Sequence, residues 1–175
     1  MNERPDIEFF DDVFEPRFCR YLLTDAEDKL ARGREFARTS LQWHPAVVRS
    51  SQPVLVRDYD ENISAIILGQ LSKRGIISGD AFDVMNYAWL RLSYLPWHND
   101  EIYSVSVTVY LNIYWDSDWG GLFLYEDQNG LIHGRAPKFN TAVRNNSKVR
   151  HSISMIAPDA VTPRLTLQIF GRGQT

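Results

Sequence analysis

Cysteine is nearly absent from this chain of 175 residues, with Cys19 its single example. One thiol can neither close an internal disulfide nor supply a cysteine-rich zinc site, so the composition suits a reducing compartment and the cytoplasm is the expected location. Long apolar runs are missing too. No stretch approaches the roughly 18 uninterrupted apolar residues of a membrane-spanning helix, and the opening MNERPDIEFFDD is too charged for a secretory signal. Neither a membrane partner nor processing is expected. Positive charge is in slight deficit, with 19 Lys and Arg against 22 Asp and Glu for a net charge of −3, so nucleic acid is not an expected partner. Repeats, low-complexity tracts and linkers are likewise absent, which predicts one domain over residues 1–175.

What is present is a core-forming composition, 44% hydrophobic and 13% aromatic. A chain of this size buries roughly 70% of its unfolded surface, so a bound metal would serve function rather than folding. Asp6 to Phe14 reads as a first strand, and Glu15-Pro16-Arg17 opens a helix that would turn Phe18, Tyr21, Leu22 and Leu30 inward. A second helix is predicted over Asn62 to Lys73, where Ile63, Ile66, Ile67 and Leu71 recur at helical spacing and Gly75 marks the end. Both helices read as outer cladding over about residues 1–80.

From Phe82 the pattern becomes short β-branched and aromatic runs, at Ala88–Leu92, Tyr103–Ile113, Gly121–Tyr125, Lys148–Ile156 and Arg164–Phe170. Along the second run Val105, Val107, Val109 and Leu111 share one face, and Ser104, Ser106, Thr108 and Tyr110 the other. One face packs and the other looks into something more polar. Asp127 to Gly130 and Asn145-Asn146 read as turns, and His133 as a turn residue. The fold class is α+β, mainly β: two N-terminal helices on a β sandwich or barrel that occupies about residues 81–172.

Of the four histidines, His98 lies two residues before Asp100. At a strand edge that spacing points both side chains the same way, so they can bind one ion together. A third ligand would come from another strand, and His151 opens the run His-Ser-Ile-Ser-Met-Ile. Two histidines and one carboxylate leave positions on a metal open for substrate and dioxygen, as in non-haem Fe(II) oxygenases. Arg164 heads an alternating apolar strand, where it needs an anion, an exit to water or a pairing with Asp159. A guanidinium is suited to gripping a carboxylate through two parallel hydrogen bonds. Tyr110, on the polar face of its strand, offers a hydroxyl to the same carboxylate.

In this order, His98-x-Asp100, Tyr110-Leu111-Asn112, Trp115, Trp119-Gly120-Gly121-Leu122-Phe123-Leu124, His151 and Arg164 resemble the 2-oxoglutarate/Fe(II) dioxygenases, in particular the prolyl-4-hydroxylase-like branch. The resemblance implies a double-stranded β-helix, a jelly-roll, cupin-like barrel with supporting helices. It implies that His98, Asp100 and His151 bind Fe(II), and that Arg164 and Tyr110 hold the distal carboxylate of 2-oxoglutarate. With O2 as the other cosubstrate, such an enzyme hydroxylates an unactivated C–H bond and releases succinate and CO2. The expected substrate is a small amino acid, a natural-product intermediate or a peptidyl residue. Trp97, Trp119, Arg49 and Arg91 are candidates to bind it, and Trp89 also flanks the metal edge. Two departures stand out. Arg164 follows His151 by 13 positions, through an enlarged turn at Ala157–Pro163, and the anchor is Arg where collagen-type enzymes use Lys. The alternatives are a cupin-like metalloprotein that does not use 2-oxoglutarate, and a non-enzymatic β-sandwich binding module.

Overall fold

A computed structural model of the chain describes residues 6–33, 35–38, 54–79, 81–146 and 148–172. Two helices lie against a pair of antiparallel sheets. The chain runs β1 (Ile7–Phe10), α1 (Pro16–Ala31), β2 (Ala37–Arg38), β3 (Val54–Asp58), α2 (Glu61–Lys73), β4 (Phe82–Trp89), β5 (Leu95–His98) and β6 (Tyr103–Tyr110). It continues through β7 (Phe123–Glu126), β8 (Ile132–Arg135), β9 (Ala142–Asn146), β10 (His151–Ile153) and β11 (Arg164–Arg172). Seven strands form one sheet in the order β1-β9-β6-β11-β4-β3-β2, and four form the other, β5-β10-β7-β8. This is the double-stranded β-helix, with the larger sheet carrying the helices and the smaller one closing the barrel.

Each helix has a local cause. Pro16 opens α1, and its buried residues Cys19, Leu22, Leu23 and Ala26 recur at the i, i+3, i+4, i+7 spacing of a single face. Burial pushes the Cys19 thiol up to about 12. In α2 the Asp60 carboxylate accepts a hydrogen bond from the Ile63 amide at 3.0 Å, and Ile67 and Leu71 are its buried residues. Gly75, at φ +69°, takes the left-handed conformation that lets the chain leave the helix. Tyr21, expected inside, is exposed, because it projects from the far side of that face.

The larger sheet separates two cores. Val107, Val109, Leu111, Leu165, Leu167 and Ile169 point outward and pack with the helices. Tyr87, Trp89, Tyr110 and Phe170 point inward and meet Phe123 and Ile153 of the smaller sheet. Central strand β11 pairs with β4 from Arg164↔Trp89 to Gly171↔Phe82, and with β6 from Thr166↔Tyr110 onward.

Several local expectations need correction. Asn145 and Asn146 end strand β9, held between β1 and β6, and His133 sits within β8, paired to Tyr125. The strand expected at Ala88–Leu92 begins earlier, at Phe82, and ends at Trp89. Val54–Asp58 forms β3 at the side of β4. None of the described helices is long and apolar enough to cross a membrane.

Candidate metal centre

His98 is the last residue of β5, His151 is the first of β10, and the two stand directly opposite in antiparallel register. Their rings lie 4.2 Å apart between centroids. Asp100 follows in the turn leading to β6, a turn closed by the Tyr103 amide donating to the Asp100 carbonyl at 2.8 Å. It reaches both histidines, with His98 Nε2 at 3.7 Å from one carboxylate oxygen and His151 Nε2 at 3.5 Å from the other. One ligand atom from each residue falls within 4.8 Å of the others. Among the described residues this is the one group of three or more such side chains.

The hydrogen bonds around the cluster set its protonation. His98 Nδ1 lies 2.7 Å from the Pro96 carbonyl, and His151 Nδ1 lies 2.9 Å from the Val149 carbonyl. A carbonyl can only accept, so each Nδ1 carries the proton and each Nε2 presents its lone pair toward Asp100. Burial and the neighbouring His151 ring lower the His98 pKa, against the opposing pull of Asp100, which favours the neutral ring that a metal requires. Ser106 donates its hydroxyl to Asp100 Oδ2 at 2.8 Å. The Asn145 carboxamide lies 3.0 Å from His151 Nδ1, and a donor at that nitrogen calls for the amide oxygen on its side. That orientation gives a partner to an Asn145 oxygen otherwise buried without one. The residues therefore fit a divalent ion that accepts nitrogen and carboxylate ligands on one face. Ser106 and Asn145 were not anticipated as site residues. Ser106 was marked only by its place on the polar face of β6, and Asn145 was hidden inside an apparent turn.

A cavity of about 260 Å³ opens beside the three ligands, with Tyr87, Trp89, Phe123 and Phe170 among its walls. Arg164 and Tyr110 lie deeper in the barrel, off that lining. Arg164 is 0% exposed, and among the described residues none of its three guanidinium nitrogens has a hydrogen-bond partner, nor has the Tyr110 hydroxyl. Its Cζ sits 5.3 Å from the centre of the Trp89 ring and 5.1 Å from that of Tyr110. Burial lowers the Arg164 pKa and raises that of Tyr110, while each group counters the other's shift. A guanidinium still holds its proton under these conditions, so the charge is real, and it has no counterion among the described residues.

Gly120 and Gly121 make this packing possible. Both have positive φ, at +65° and +64°. A Cβ on Gly120 would run into the Met155 carbonyl, and one on Gly121 would come within 2.9 Å of Arg164 Cδ.

Trp97, Arg91 and Trp119, considered for substrate, lie off the cavity lining. Arg150 stacks on Trp97, its Cζ 5.1 Å from the ring centre, and Arg91 Nε donates to the Ala160 carbonyl at 2.8 Å. Trp119 packs edge-on against Tyr114 and Trp115. None of these three lines the cavity, and Arg49 lies outside the described residues. His133 is also remote from the cluster, bonding Asp127 at 2.8 Å.

No protein-family model and no curated protein matches the sequence. Solved structures do match the fold. A prolyl-4-hydroxylase of Pseudomonas putida superposes with a TM-score of 0.76 at 16% identity, covering 97% of this chain and 94% of that one. A prolyl hydroxylase of Trichoplax adhaerens, solved with a peptide fragment of a hypoxia-inducible factor oxygen degradation domain, gives 0.74 at 15% identity, with 95% and 83% covered. The viral collagen prolyl hydroxylase of Paramecium bursaria Chlorella virus-1, in its 2-oxoglutarate complex, gives 0.64 at 15% identity, with 95% and 97% covered. At such identities what is shared is the double-stranded β-helix.

Proposed function

We propose that the protein is an Fe(II)- and 2-oxoglutarate-dependent oxygenase that hydroxylates an unactivated C–H bond. The observation that carries this reading is Arg164, a buried cation without a counterion among the described residues, set deep in the barrel that holds the His98, Asp100 and His151 cluster at its edge. Leaving such a charge unpaired is costly, so the barrel is built around an anion that arrives from outside the chain. A dicarboxylate that binds the metal at one end and Arg164 at the other accounts for both features.

Bound at this centre, Fe(II) with 2-oxoglutarate and O2 supplies the oxidising chemistry, consuming O2 and releasing succinate and CO2. The chain orients and excludes. His98, Asp100 and His151 would hold the ion, a ligand set that leaves room for substrate and dioxygen. Ser106 and the Pro96 and Val149 carbonyls hold those side chains in their ligating orientation. Arg164 receives the distal carboxylate through paired N–H donors, and the neutral Tyr110 hydroxyl adds a third. Phe123, which packs 5.5 Å from the His151 ring, together with Trp89 and Ile153 keeps bulk water from the interior.

The substrate class is a small amino acid, a natural-product intermediate or a peptidyl residue. The peptide bound to the Trichoplax enzyme recommends a peptidyl residue for early trial. A histidine-rich cupin-like centre is disfavoured by the single three-ligand group among the described residues.

Anaerobic addition of Fe(II) and then 2-oxoglutarate tests the reading. A visible charge-transfer band that is lost in Arg164→Ala, followed by succinate release on admission of O2, is the expected result. Folded, reduced protein that yields neither band nor succinate would overturn it.

A further inference from the structure

Strands β6 and β9 pair Ser106 directly with Asn145, so both side chains leave the sheet on the face that meets the metal centre. Ser106 is spent on Asp100, to which it gives its hydroxyl hydrogen. Asn145 has more to give. Its oxygen is taken by the proton on His151 Nδ1. That orientation puts the amide nitrogen, with its two hydrogens, at the other end of the carboxamide, a buried position with no hydrogen-bond partner among the described residues. The side chain is 2% exposed and lines the cavity, so bulk solvent does not serve the nitrogen either.

Other donors on the cavity wall are already engaged. The Thr108 hydroxyl donates to Gln168 Oε1 at 2.8 Å, Gln168 Nε2 donates to Thr166 Oγ1 at 3.3 Å, and Asn99 Nδ2 donates to Glu101 at 2.8 Å. No Lys or Arg is among the described residues that line the cavity. An anion bound at the metal nevertheless makes a demand on this wall. A carboxylate that ligates through one oxygen keeps the second off the ion, and inside a cavity that second oxygen is costly unless a donor reaches it. Arg164 serves only the distal end. A neutral carboxamide beside His151 can serve the near end without adding charge to the metal's surroundings.

We infer that Asn145 is a cosubstrate-binding residue, its Nδ2 donating to the metal-bound carboxylate of 2-oxoglutarate while its oxygen holds His151. This role rests on the oxygenase reading and adds to it the residue that receives the near end of the dicarboxylate. One side chain then orients a ligand and grips the anion, and two substitutions separate those tasks. Asn145→Asp keeps an acceptor for His151 Nδ1 and removes the donor. Asn145→Ala removes both and brings no negative charge, so a loss shared by the two variants is not mere repulsion.

The experiment is anaerobic calorimetry on the full chain, each variant loaded at Fe(II) concentrations that saturate it by equilibrium dialysis. The titrants are 2-oxoglutarate and oxalate, which has a chelating end and no distal arm. Asn145→Asp should hold Fe(II) within about threefold of the native chain and bind both anions at least about tenfold more weakly. Asn145→Ala, once loaded, should lose about tenfold for both anions. Circular dichroism checks the fold, and Asn145→Ala decides alone if the aspartate variant does not fold. Native affinity for oxalate in a loaded variant would mean that the amide only orients His151, and would overturn the role. Loss of Fe(II) from folded Asn145→Asp would also overturn it, by placing nitrogen rather than oxygen against the ring. If the native chain binds both anions and the variants match it, only the role of Asn145 fails; if the loaded native chain binds neither, the oxygenase reading fails and this role falls with it.

Discussion

Strands β6 and β11 show two unlike faces of one backbone. Toward the helices they present Val107, Val109, Leu165, Leu167 and Ile169, all aliphatic and buried. Toward the barrel the alternate residues are Ser106, Thr108, Tyr110, Arg164, Thr166, Gln168 and Phe170, polar or charged except for Phe170, and all but Thr108 are buried. The first face gains stability from the apolar area it removes from water. The second gives up part of that gain, since it buries groups that need partners, and two of them, Arg164 and Tyr110, leave polar atoms without one. Stability and chemistry are thus divided between residues that are adjacent in sequence, and substitutions one position apart should fail in different ways.

The sharpest break is expected at the metal edge. Asp100→Ala and His151→Ala should each abolish Fe(II) binding and turnover while the circular dichroism spectrum and melting temperature stay close to native, whereas His133→Ala and His44→Ala should leave metal binding intact. Equal losses from all four would contradict the ligand assignment. On the helix face Leu167→Ala should behave oppositely, costing about 2–5 kcal/mol in denaturant unfolding through the cavity it leaves, with Fe(II) affinity retained in whatever fraction remains folded.

Arg164→Met combines the two behaviours. Removing an uncompensated buried charge should stabilise the protein on the order of 3 kcal/mol in the absence of 2-oxoglutarate, yet calorimetry should show binding of 2-oxoglutarate lost. A destabilised variant would mean that the guanidinium is better compensated than its surroundings indicate. The smallest effect is expected at Asn145→Ala, which removes a hydrogen bond to a ligand and not the ligand itself. Equilibrium dialysis should show Fe(II) affinity down by roughly 10–100-fold.

The helix layer and the closeness of His98 to Asp100 were legible in the sequence for simple reasons. Helical spacing at 62–73 marks α2, and the two-residue spacing of His98 and Asp100 at a strand end puts both on one side. The alternation along Tyr103–Tyr110 foretold an outer apolar and an inner polar face. Strand β9 was not legible, because Asn145 and Asn146 favour turns locally, and it is their pairing with β1 and β6 that draws them into the sheet. Strand β8 was missed for a similar reason. His133 lies between Gly130 and Gly134, and its strand is defined by pairing with β7 on one side. The position of Trp89 between cation and cavity could not be read at all, since it depends on which side chains meet across the barrel.

The continuous pairing of β11 with both neighbours makes that strand behave as a reading frame. Deleting one residue near Gln168 would exchange inside for outside in whatever lies beyond the cut on the repaired strand, sending Thr or Gln toward the helices and Leu or Ile into the barrel. The turn at Ala157–Pro163, which enters β11, carries no such alternation, so its length can change without altering what the strand says. Variation in the spacing between His151 and Arg164 is therefore tolerable where it falls in the turn and ruinous where it falls in the strand, and the 13-position interval reads as an insertion in the punctuation.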